Sequence, residues 1–121
     1  MKPILAILLL SAAPALAQPS TGALAQGEAA ARCAALWQGA ALEASDHPAF
    51  AGTAPATEAL AGDFAAQARA AGLSRSTLRE VIVEDLPDAR LLYRSVLKGD
   101  QQSAALFERR AAACAGLQGG S

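Results

Sequence analysis

Residues 24–44 read LAQGEAAARCAALWQGAALEA. Alanine, leucine, glutamate and glutamine dominate this stretch, and all four favour helix because they lose little side-chain freedom there. Cys33, Leu36, Trp37, Ala40 and Ala44 recur at three- and four-residue steps, so a helix places them on one face. Alanine and glycine on the adjoining positions permit another helix to approach closely. The stretch SDHPAFAG, residues 45–52, breaks the pattern, and Pro48 bounds the helix.

The rest of the chain repeats the theme. A second helix is expected to begin between Thr53 and Thr57, with Thr53 as N-cap and Pro55 in the first turn. Leu60, Phe64, Ala68 and Ala71 form its apolar stripe. Gly72 followed by Leu73 is a stop signal, a glycine just past the helix end with its hydrophobic neighbour. Ser74 caps a third region in which Leu78, Val81, Ile82 and Leu86 face inward. The run Val81 to Val83 also fits a short strand. Pro87 makes this region either two short helices or one kinked helix. Leu91, Leu92, Val96 and Leu97 resume the periodicity up to Gly99. Asp100 caps a last helix running to about Ala115, with Leu106, Phe107, Ala111 and Cys114 on or beside its buried face. Residues 18–23 and 116–121 read as flexible ends.

These elements predict an all-α fold, a small up-down bundle of four to five helices. Aromatics number one Trp, one Tyr and three Phe, so the core is thin and alanine-rich. Thin cores bury little apolar area against the entropy of ordering the chain. The two cysteines therefore matter. Both sit at apolar-stripe positions, and the expected Cys33–Cys114 disulfide clasps the first helix to the last.

Compartment follows from the N-terminus. Residues 1–17, MKPILAILLLSAAPALA, carry one lysine, a short apolar run and a small-x-small ending, the pattern of a cleaved signal peptide. The expectation is export to the periplasm, with residues 18–121 as a single helical domain. The apolar run is too short for a membrane span. A formal net charge of −1 argues against a nucleic-acid partner.

Catalytic chemistry is sparse. His47 is the sole histidine and reads as a turn residue beside Asp46. Neither a CxxC pair, a nucleophile elbow nor an EF-hand loop is present. No cofactor or metal is expected, and the protein reads as non-enzymatic. Trp37, the acidic knuckle Glu84, Asp85 and Asp88, and the i,i+4 pair Arg90 and Arg94 are the candidate interaction surface. The functional expectation is a protein-interaction module or accessory of an envelope complex, its partner another periplasmic or envelope protein. The alternative is a periplasmic carrier of a small apolar ligand, held around the Leu, Val and Ile residues near Pro87.

Overall fold

The computed structural model describes residues 19–119. The proposed signal peptide lies outside them. Among the described residues four α-helices follow one another: α1 Thr21–Ser45, α2 Ala54–Ala70, α3 Arg75–Leu97 and α4 Gln101–Gly119. A single 3-10 turn, Ala51–Thr53, precedes α2. Helices consecutive in the chain run antiparallel, as short connections require. No strand forms among the described residues, and Val81 to Val83 are helical. α1 begins earlier and α4 ends later than the sequence suggests.

The helix ends obey local chemistry. The Ser20 and Ser74 hydroxyls accept hydrogen bonds from the Ala23 and Thr77 amides. An Asp100 carboxylate oxygen accepts from the Ser103 amide at 2.9 Å and from its hydroxyl at 2.6 Å. These two bonds hold the Asp100 pKa below the usual carboxylate value. Gly72 and Gly99 take φ of 108° and 90°. Each closes its helix with paired bonds: Gly72 and Leu73 donate to Arg69 and Ala68, and Gly99 and Asp100 to Val96 and Ser95. Thr53 departs from expectation. Its backbone is already helical and its hydroxyl donates to the Phe50 carbonyl, so it does not cap α2.

Pro87 neither ends nor splits α3, which is continuous from Arg75 to Leu97. The proline ring lies on the solvent side. There the missing amide leaves only the Val83 carbonyl without its usual donor. Asp88 accordingly lies inside the helix.

α1 is the centre of the molecule. Its buried residues include Ala30, Ala31, Cys33, Ala34, Ala35, Leu36, Ala40, Ala41 and Ala44. They lie on several faces rather than one stripe, the pattern of a helix covered from more than one direction. Small residues set how closely the others approach. A Cβ built on Gly27 would lie 3.3 Å from the Ala68 carbonyl oxygen on α2. A Cβ on Gly39 would lie 2.7 Å from the Ala89 Cβ and 2.9 Å from the Arg90 backbone nitrogen on α3.

Larger side chains fill what remains. Phe64 of α2 is 1 % exposed and packs with Cys33, Leu36 and Cys114. Ile82, Leu92 and Phe107 border this cluster. A second cluster joins Ala30, Ala31, Ala68 and Leu73, with Leu78 and Val81 against it. Leu91, expected inside, is 57 % exposed. Leu106 and Ala111 are only half-buried, leaving Cys114 as the one fully buried member of the predicted α4 face.

The Cys33–Cys114 disulfide is formed, joining the first and last helices across 81 residues of sequence. Chain-entropy arguments assign a loop of this length about 4 kcal/mol, less whatever strain the bridge adds. Reduction is therefore expected to lower the thermal midpoint by about 10–20 °C, read by circular dichroism with and without a phosphine reductant. An unchanged midpoint after verified reduction would count against the clasp. Gly39→Ala is expected to cost about 1–3 kcal/mol, because the methyl group meets α3 backbone. Gly62→Ala, in open space on α2, is expected to stabilise by about 0.5–1 kcal/mol. Urea midpoints of the two variants give the comparison.

Candidate functional site

The close approach of α1 and α3 at Gly39 and Ala89 brings charged residues together one turn further along. Glu43 follows Gly39 by four residues, and Arg90 adjoins Ala89. Glu43 is 3 % exposed, the one buried charged residue among those described. Arg90 Nε donates to Glu43 Oε2 at 2.6 Å. Arg94 donates through Nε to Oε1 at 3.0 Å and through Nη2 to Oε2 at 3.1 Å, a two-pronged grip. Arg90 also reaches Asp46 Oδ2 at 3.2 Å.

Glu43 is shielded by these side chains rather than by depth, since both arginines remain in partial contact with water. The Arg94 hydrogen bonds, opposed by desolvation and reinforced by Arg90, lower the Glu43 pKa from 4.5 to about 2. Glu43 in turn raises the Arg94 pKa. Arg90 and Arg94, expected on an interaction surface, are both engaged by an internal carboxylate while keeping part of their side chains in water. No motif in the sequence singles out Glu43. Its one signal was position: a carboxylate four residues after a glycine, on a lane otherwise lined with alanine.

Trp37 is half-buried and packs edge-on against Phe107, ring centres 5.4 Å apart at 84°. Phe107 in turn meets Tyr93 at 4.9 Å and 56°. The three rings tie α1, α3 and α4 together beside the disulfide. The Trp37 Nε1 is buried and has no hydrogen-bond partner among the described residues. Trp37 thus packs between helices through one side of its ring. His47 lies in a backbone turn closed by the Phe50 amide donating to its carbonyl, with the Phe50 ring 6.4 Å away.

The acidic knuckle divides. Glu84 is exposed on the outer side of α3 with Glu80, Val83, Pro87 and Leu91. Asp85 and Asp88 instead line an open cleft of about 400 Å³ between α1, α3 and α4. Arg32 and Arg110 face them across it. Arg32 Nε stands 3.8 Å from Asp85 Oδ2, a loose pair in water. A second groove, about 260 Å³, runs along Leu78, Ile82 and Val83 between Arg75 and Arg79. Among the described residues no three His, Cys, Asp or Glu side chains gather where they could hold a metal ion. No described helix is long and apolar enough to cross a membrane.

The sign of the pH dependence follows from Glu43. Its folded pKa lies below its unfolded value, so its contribution is fully present above pH 4.5 and is lost as the pH falls toward about 2. Glu43→Gln is expected to destabilise by about 1–3 kcal/mol at neutral pH, tempered by the solvent exposure of both arginines. It should also flatten the fall in urea midpoint between pH 4.5 and pH 2 that the unsubstituted protein shows. Equal acid profiles for the two proteins would refute the assignment. Compared with protein-family models, curated proteins and solved structures, the chain finds no match to any of them.

Proposed function

We propose that this protein is a non-enzymatic interaction module of the periplasm that docks another envelope protein on the outer face of α3. One observation carries the reading. Val83 and Leu91 are 63 % and 57 % exposed, two turns apart on the same side of a helix held to the core by its other side. Pro87 lies between them and is also exposed. Isolated exposed leucines are commonplace, whereas Val83, Pro87 and Leu91 in one row on a continuous helix favour a docking surface.

The bordering charge specifies the partner chemistry. Glu80 and Glu84 lie one turn apart beside Val83, and both are exposed with no ion-pair partner among the described residues. The fitting partner presents apolar side chains flanked by lysine or arginine. Export rests on residues 1–17, and the disulfide suits an oxidising compartment.

A carrier of small apolar ligands is the second reading, favoured by the apolar groove along Leu78, Ile82 and Val83. That groove is on the surface and shares Val83 with the exposed strip, so it fits equally well as part of the protein-binding face.

The test is capture of partners from periplasmic extract by the disulfide-bonded protein, with crosslinking. The double variant Val83→Ser, Leu91→Ser should keep its thermal midpoint, because neither side chain packs in the core. It should lose affinity for the captured partner by about tenfold or more. Undiminished capture by the variant, or a protein with no crosslinked partner at all, would overturn the reading.

A further inference from the structure

The cleft between α1, α3 and α4 shares no lining residue with the strip on the outer face of α3, although Asp88 lies one turn from Leu91. Its floor is apolar, built from Leu36, Ala89 and the buried disulfide sulfur pair of Cys33 and Cys114. Its rim carries two carboxylates, Asp85 and Asp88, and two guanidinium groups, Arg32 and Arg110. A cleft of about 400 Å³ falls within the size range of small-ligand sites, and an apolar floor with a few convergent polar groups is their usual make-up.

The pairing of the rim is incomplete. Arg32 and Asp85 approach only to 3.8 Å. Asp88 and Arg110 line the same cleft, yet neither forms an ion pair with any described residue. One free carboxylate and one free guanidinium thus face a shared volume without neutralising each other. A simple anion would satisfy Arg110 and be repelled by Asp88, and a simple cation the reverse. A molecule bearing both an ammonium and a carboxylate satisfies both.

We propose that this cleft binds a small zwitterion, a free amino acid or a short unblocked peptide. Its carboxylate meets Arg110 and its ammonium meets Asp88. Its body lies over Leu36 and the disulfide. Arginine presents a planar fork matched to a carboxylate, which gives the site a preferred orientation. The rim is open to water, so the affinity is modest, with a Kd of about 1 mM.

The experiment is an amide-resolved NMR titration of the disulfide-bonded protein with four probes: alanine, trialanine, N-acetyl-trialanine and trialanine amide. Trialanine should saturate, with shifts grouped at Arg32, Ala89, Arg110 and Ala113. Alanine binding as tightly as trialanine assigns the site to free amino acids, and weaker binding assigns it to peptides. Acetylation and amidation should each weaken binding about fivefold.

Two exposed-residue variants complete the design, with folding checked by thermal midpoint. Arg110→Gln should lose the penalty for amidation but keep that for acetylation, and Asp88→Asn the reverse, because each pair of changes removes the same contact. Probes that produce no saturable shift, or blocked and unblocked peptides that bind alike, overturn the proposal. Neither result touches the α3 strip, and the Val83→Ser, Leu91→Ser protein should bind trialanine as the unsubstituted protein does.

Discussion

The molecule depends on how close α3 comes to α1. At Gly39 the backbone of α3 occupies the space a side chain would need, with Ala89 the residue in contact. This approach is possible only because both positions are nearly without side chain. It fixes the register of the two helices, and the register decides what meets further along. Glu43 arrives between Arg90 and Arg94, and Arg32 arrives opposite Asp85. A helix pair held a methyl group further apart would lose that charge arrangement.

Alanine-rich packing also has a cost. Ala30, Ala31, Ala35, Ala40 and Ala68 are wholly buried, yet each removes little apolar area from water. Among the described residues Phe64 is the one large side chain that is fully enclosed. α4 has the weakest claim on this core, since its exposed residues outnumber its buried ones and only Cys114 is well covered. Covalent and aromatic ties offset this. The disulfide joins α4 to α1, the Phe107 ring bridges Trp37 and Tyr93, and Gln67 Nε2 donates to the Leu117 carbonyl at 3.3 Å.

The same framework arranges the surfaces. α3 turns its buried side to α1 and its outer side to solvent, so the acidic residues around Pro87 fall into two groups. Glu84 stays with the exposed apolar strip. Asp85 and Asp88 join the cleft over the disulfide. A sequence view placed them in one knuckle because they are neighbours along the chain. Helical geometry turns Asp85 about 100° away from Glu84, whereas Asp88 lies only about 40° from it and reaches the cleft's rim from the adjoining face.

Much of the architecture was legible in the chain. Ser74, Gly72, Gly99 and Asp100 announced helix ends, because capping depends on residues within a turn of one another. The apolar positions of Cys33 and Cys114 implied the clasp. What the sequence could not decide were matters of contact between distant segments. Pro87 looked like a break, but an N-terminal and C-terminal half packed on one central helix keep α3 continuous. Leu91 looked internal, yet the crossing of α1 and α3 leaves it outside. Arg90 and Arg94 looked available, yet Glu43, some fifty residues earlier, holds both. Local propensity determined where helices begin and end. Tertiary structure alone decided which charges meet, because that depends on the distance at which two backbones come to rest.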